Sequence, residues 1–122
     1  MKNVKIPKNR PYVILNAAMS LDGKISTING DGEFSDDLDW NRVHKLRAEV
    51  DGILVGIGTI LKDNPKLRVK YYEGYPARII VDSKCRIPLD AKAITFERNK
   101  YPTIIGTTEK APKEKIEALR QL

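Results

Sequence analysis

The sequence predicts an α/β protein whose sheet is largely parallel. Three features carry that expectation. Short runs such as "GILVG", "ARIIVDS" and "PTIIGTT" read as buried apolar strands rather than as alternating ones. Segments of helical character fall between them. Turn-forming residues, as in "DGK" and "NP", mark the joins. The length of 122 residues suits one domain, so a single domain over 1–122 is expected.

The elements follow in order. "RPYVILNAAMS" predicts a buried strand that starts after Pro11 and ends near Ser20. "LDGKISTINGDGEFS" is a loop with an Asp-Gly turn. "SDDLDWNRVHKLRAEV" predicts a helix. Ser35 is its expected N-cap, acids sit in its first turn, and bases follow in line with the helix dipole. Leu38, Val43, Leu46 and Val50 fall at roughly helical spacing and predict its core face. "GILVG" is a strand, and "TILKD" one or two helical turns stopped by Asn64-Pro65. "ARIIVDS" reads as a wholly apolar strand ending at Asp82, "PLDAKAIT" as loop or edge structure, and "PTIIGTT" as a further strand. "APKEKIEALRQL" opens an amphipathic helix, with Pro112 near its first turn.

Composition narrows the function classes. Apolar residues are 41% and charged residues 31%, an ordinary balance for a globular chain. No run is long enough to span a bilayer, and the short apolar run at the start is broken by Asn16, so a signal peptide is rejected and a cytoplasmic location is expected. One cysteine, Cys85, and one histidine cannot build a disulfide framework or a zinc site, and no metal is expected. The formal charge of +6 is spread along the chain and suits small anionic ligands as well as nucleic acid.

An open α/β sheet binds ligands at the carboxyl ends of its strands. Three predicted ends carry polar chemistry: "NAAMSLDGK", "VGIGT" and "VDSK". If those strands are neighbours, the ends share one crevice. In "GIGT", Gly56 and Gly58 would let a phosphate or ribose approach the backbone, and Thr59 offers a hydroxyl; alternatively they make only a tight turn and a helix cap. Ser83 and Lys84 could meet a phosphate, or belong to a plain turn. Lys24 could hold a phosphate or polarise a reacting carbon, or be solvated beside an ordinary Asp-Gly turn. Arg47 is either a surface arginine or a bidentate phosphate ligand. His44 reads as structural, with no serine or cysteine placed to make a triad with it. Phe34, Trp40, Tyr71, Tyr72 and Tyr75 could stack on a heterocycle or simply pack.

Three stretches, "RPYVILNAAMSLDGKIST", "RVHKLRAEVDGILVGIGTILKDNPKLRV" and "ARIIVDSKCRIPLDAK", together closely resemble the riboflavin-biosynthesis reductases of the archaeal type. Those enzymes act on 2,5-diamino-6-ribosylamino-4(3H)-pyrimidinone 5′-phosphate. The same stretches resemble the reductase half of bacterial riboflavin deaminase-reductases, whose fold is similar to dihydrofolate reductase. The resemblance runs from about Arg10 to about Lys92 and implies a dihydrofolate-reductase-like mixed, mostly parallel sheet flanked by helices. It further implies reduction of the ribose C1′ to an open ribitylamino chain, with NADPH, or else NADH, as hydride donor.

Residue by residue, the resemblance implies cofactor contacts at Thr59, Asp63, Asp82, Ser83, Lys84 and Cys85, with Gly56 and Gly58 at the helix entrance under the phosphates and ribose. Ala18 and Met19 would lie near the nicotinamide. Lys24, Ser35, Arg47, Leu67 and Lys70, with Arg68 beside them, would form the substrate pocket, Lys24 being the catalytic candidate and Arg47 the ligand of the 5′-phosphate. Two departures stand out: the usual "DDP" is "DNP" here, and the usual "LTVR" is "LRVK", which puts Lys70 where an arginine is expected. Family members are nearly twice as long, with an "EGGG"-type loop and a "DEL"-type strand that this sequence lacks, as it lacks the deaminase zinc motifs. The resemblance therefore implies a reductase only, corresponding to the N-terminal part of the domain, with a homodimer as the expected assembly. A pteridine or folate reductase on the same scaffold is the alternative enzyme, and a non-catalytic nucleotide- or nucleic-acid-binding module the alternative class. The lysines alternate with acids, so nucleic acid is not the expected partner.

Overall fold

A computed structural model describes Lys5, residues 8–30 and residues 35–122. The chain divides into two compact units, Met1–Val43 and His44–Leu122. The elements, in chain order, are α1 (Asp37–Ala48), β1 (Gly52–Gly56), α2 (Ile57–Asp63), β2 (Ala77–Val81), α3 (Lys92–Thr95), β3 (Thr103–Gly106) and α4 (Lys113–Arg120). Phe34 lies outside the described residues.

The first unit corrects one expectation outright. Residues 11–20 form no strand. Val13 and Leu15 are largely exposed, at 78% and 89%. An apolar run becomes a strand only where a neighbour takes its N–H and C=O groups, and no strand is paired to this run among the described residues. Order in the unit comes from turns instead. Ser20 N–H donates to Lys24 O at 2.8 Å, Gly23 N–H donates to Ser20 O at 2.9 Å, and Gly23 takes a φ of +78° that a side chain would resist.

α1 begins one residue later than the Ser35 cap implied. The Asp36 carboxylate accepts the Asp39 N–H at 2.8 Å, so Asp36 is the N-cap. Asp37 and Asp39 in the first turn and Lys45 and Arg47 in the last complement the helix dipole. Leu38 does not join the core face; it is 82% exposed, whereas Val43 is buried and Leu46 and Val50 are partly so. At the other end, Gly74 lies flat against the helix: a Cβ there would come within 2.9 Å of Ala48 Cα.

The second unit holds the sheet, in the order β1-β2-β3. Both pairings are parallel. Leu54 pairs with Ile79 and Ile79 with Ile104; Gly56 pairs with Val81 and Val81 with Gly106. Side chains alternate across a strand. Ile53, Val55, Ile80 and Ile105 therefore share one face, and this face packs on Ile57, Ile60, Leu67, Ile87, Ala91, Ala93 and Ile94. Burying such side chains contributes on the order of 2 kcal/mol each.

β2 is not wholly apolar, because Arg78 is fully buried on that same face. Its Nε donates to Leu67 O at 3.4 Å, and its Nη1 donates to Ala93 O at 3.2 Å and Phe96 O at 2.7 Å. The guanidinium also lies 4.4 Å from the Tyr101 ring centre. A charge can be buried here because carbonyl oxygens solvate it in place of water. "PLDAKAIT", expected as loop or edge, contains the single-turn helix α3, which Asn64 helps to start by accepting the Lys92 N–H at 2.9 Å. Asn64 itself stands at φ 42° as the C-cap of α2, a left-handed position that asparagine tolerates, and this gives the "DNP" departure a local reason.

Candidate active site

The carboxyl ends of the three strands lie side by side at Gly56, Val81 and Gly106. Parallel pairing in this register brings the segments that follow them to one edge of the sheet. Gly58 and Thr59 follow β1, Asp82 to Cys85 follow β2, and Thr107 and Thr108 follow β3. A Cβ added at Gly56 or Gly58 would meet nothing within 4 Å, so open space faces both. Thr59, Asp63, Ser83 and Lys84 present exposed side chains. A cavity of about 340 Å³ is lined by Ser83, Thr108, Glu109 and Lys110. The β2 and β3 loops are tied together there: Thr108 donates to Ser83 O through its hydroxyl at 2.8 Å and its N–H at 3.2 Å.

Two of the expected cofactor residues turn inward. Asp82 is fully buried; its Oδ2 accepts the Ile87 N–H at 2.8 Å and its carbonyl accepts the Cys85 N–H at 3.0 Å. Its Oδ1 has no hydrogen-bond partner among the described residues. Cys85 is buried with a left-handed φ of 55°, and burial, then the neighbouring Asp82 charge, raise its thiol pKa. These two residues shape the loop from which Ser83 and Lys84 project. Cys85 also lines a second cavity of about 490 Å³ between β3 and α4, with Thr103, Ile105, Thr107, Ile116 and Leu119.

A second group of site residues gathers where the end of α1 meets residues 67–71. Arg47 Nη1 donates to Arg68 O at 3.2 Å. His44 Nδ1 accepts the Lys70 N–H at 3.1 Å. Leu67 is buried at φ 47°, and the Tyr71 ring stands edge-on to His44 at 6.1 Å between centres. Three cationic side chains, Arg47, Arg68 and Lys70, therefore surround one imidazole. Burial first, and then the charges of Arg47, Lys70 and Arg68, hold the His44 pKa below its ordinary value. Burial also lowers the Arg47 guanidinium pKa. The arrangement suits a multiply charged anion such as a phosphate ester.

Ala18, Met19, Lys24 and Ser35 belong to the first unit. Ala18 is partly buried and Met19 exposed. Lys24 is exposed at the end of its turn, where its N–H donates to Ser20 Oγ at 3.1 Å. The Ser35 hydroxyl is engaged by the Asp39 carboxylate, whose pKa it lowers, with Arg42 adding to the effect. The strand expected to carry Ala18 and Met19 to the sheet edge is not formed, so the strand ends that converge belong to β1, β2 and β3. Sequence reasoning missed Thr107 and Thr108, although the "GTT" after an apolar run had the same form as "GIGT" and "VDSK". It read His44 as structural, but the tie of His44 to Lys70 spans 26 residues and leaves no local signal.

Comparison with known proteins gives this geometry a family. Residues 11–122 match the RibD C-terminal domain. The chain is similar to 2,5-diamino-6-ribosylamino-4(3H)-pyrimidinone 5′-phosphate reductase of Methanothermobacter thermautotrophicus, at 47% identity over 92% of this chain and 52% of that one. It is similar to the protein of the same name from Aquifex aeolicus, at 42% identity over 93% of this chain and 52% of that one. The chain thus spans about half the length of these curated relatives. Among solved structures, it is similar to the diaminohydroxyphosphoribosylaminopyrimidine deaminase/5-amino-6-(5-phosphoribosylamino)uracil reductase of Thermotoga maritima. The TM-score is 0.61 and the identity 36%, over 71% of this chain and 25% of that one. The fold is part of a dihydrofolate-reductase-like α/β domain, and the chain belongs to the RibD C-terminal domain family.

Proposed function

We propose that this chain supplies the cofactor edge and the phosphate ligands of an NADPH-dependent reductase, with NADH as the alternative donor. The substrate is 2,5-diamino-6-ribosylamino-4(3H)-pyrimidinone 5′-phosphate, reduced at the ribose C1′. The single observation that carries this reading is the register of Gly56, Val81 and Gly106, which sets glycine, hydroxyl and lysine groups around one edge of a parallel sheet. Open space over Gly56 and Gly58 and the cavity beside Ser83 fit a dinucleotide that lies along that edge.

The bound nicotinamide supplies the hydride. Thr59 and Ser83 offer hydroxyls to the cofactor, Thr108 braces the Ser83 loop, and Lys84 offers a cation to the cofactor phosphates. Arg47, Arg68 and Lys70 hold the substrate 5′-phosphate and thereby orient the sugar. Lys24 is the catalytic candidate that the family resemblance implies. Three exposed apolar side chains on the sheet, Leu54, Val81 and Ile104, support association with a second copy in the active assembly.

The test is a fluorescence titration of the chain with NADPH and with NADH. Binding is expected, and Thr59→Ala and Ser83→Ala should each weaken it roughly 3- to 10-fold, the loss of one hydrogen bond. No response to either nucleotide would overturn the reading.

A further inference from the structure

Two side chains of α1, one turn apart, grip the same stretch of backbone. His44 takes the N–H of Lys70, and Arg47 gives a hydrogen bond to the carbonyl of Arg68. Between them, the Val69 N–H donates to the Tyr101 hydroxyl at 3.2 Å. Residues 68–70 belong to no helix or strand, so these side chains do the work that a ladder does elsewhere. Left-handed residues, Leu67 at φ 47° and Tyr71 at φ 65°, bracket the segment. Such conformations persist only where the surroundings hold them. The side chains thus fixed in direction are those of Arg68 and Lys70.

We infer that His44 is a positioning residue for the phosphate-binding segment: its Nδ1 lone pair, in the neutral Nε2–H form, fixes the backbone that aims Arg68 and Lys70. The inference rests on reading Arg47, Arg68 and Lys70 as phosphate ligands. The charged and titratable groups that face the imidazole are Arg47 from its own helix and Arg68, Lys70 and Tyr71 from the segment packed on it. Burial first and then the three cations oppose its protonation, and they outweigh the Arg68 backbone hydrogen bond that favours it, which keeps the lone pair available at neutral pH.

The chain contains a single histidine, so its ring nitrogens can be read by ¹⁵N NMR without assignment. The expected result at neutral pH is the Nε2–H tautomer with Nδ1 unprotonated; an Nδ1–H tautomer would overturn the inference whether or not any variant folds. Binding is then measured with inorganic sulfate, whose charge is constant through the neutral range. His44→Ala should weaken sulfate binding roughly 3- to 10-fold, as expected for one lost hydrogen bond. His44→Asn, which keeps an acceptor near the Nδ1 position, should restore it to within about twofold, whereas His44→Gln, with its amide one carbon further out, should not. A role in packing alone would not separate Asn from Gln, so equal behaviour of these two, or wild-type affinity in His44→Ala, would overturn the inference. Absence of sulfate binding by the wild-type chain would overturn it too. Sulfate binding with the expected variant pattern but no NADPH response would leave the inference standing and remove the reductase reading; NADPH binding with an indifferent His44→Ala would do the reverse.

Discussion

On one face of the sheet Ile80 and Arg78 are fully buried, and Ile53, Val55 and Ile105 pack against a continuous core; on the other, Leu54, Val81 and Ile104 keep 64%, 52% and 54% of their surface. The strands are the same, and isoleucine, leucine and valine occur on both sides. The difference lies in what is laid against each face. α2, α3 and the loop through Ile87 supply the cover for the first. Apolar composition marks a strand as able to be buried on both sides, but the cover comes from elsewhere in the chain or from a partner surface. The one charged residue among the three strands, Arg78, sits on the covered side, where backbone carbonyls are within reach.

The largest test of this asymmetry is Arg78→Ala. It removes the guanidinium that donates to the Leu67, Ala93 and Phe96 carbonyls, of which Ala93 keeps the Thr103 hydroxyl, and opens a void beneath the core. A loss of about 4 kcal/mol in urea unfolding is expected. A loss below about 1 kcal/mol would mean that water replaces the guanidinium and that the covered face is less closed than its burial indicates. Ile80→Ala on the same strand should cost about 3 kcal/mol by the same measurement. A smaller pH effect comes from outside the sheet. The folded state holds the His44 pKa below its ordinary value of about 6.5, so the unfolded chain binds more protons between the two values. This contribution to stability is complete above the unfolded value and is lost as pH falls from there through the lower folded value. Thermal melts should show the step in the wild type and lose it in His44→Asn. The smallest effect belongs to the open face: Leu54→Ser and Ile104→Ser should each change monomer stability by less than about 0.5 kcal/mol. A large loss there would show that the face is covered in solution.

The same physics explains what could be read in advance. β1, β2 and β3 were legible because each is short, apolar and bounded by glycine, proline or aspartate, and the α/β class follows from their alternation with helices. The run from Tyr12 to Met19 had equal apolar content and is not a strand, because pairing is a property of two segments and only one was visible in the run. α3 was missed because four residues carry no period; Asn64, 28 residues away, helps to hold its start. At the site, the ends after β1 and β2 were legible as polar groups following apolar strands. The inward turn of Asp82 was not, since it depends on the Ile87 N–H closing a loop five residues long. Arg47 was legible as a surface arginine or a phosphate ligand, Arg68 and Lys70 came from resemblance, and their grouping around His44 is a matter of tertiary contact alone.

Cys85 gives the molecule a built-in clock. The thiol is nearly sealed, and its surroundings keep it in the unreactive protonated form. A maleimide should therefore modify it slowly, and faster whenever the turn after β2 loosens. The rate of labelling follows that loosening, and any small molecule that clasps the neighbouring serine and lysine should slow it.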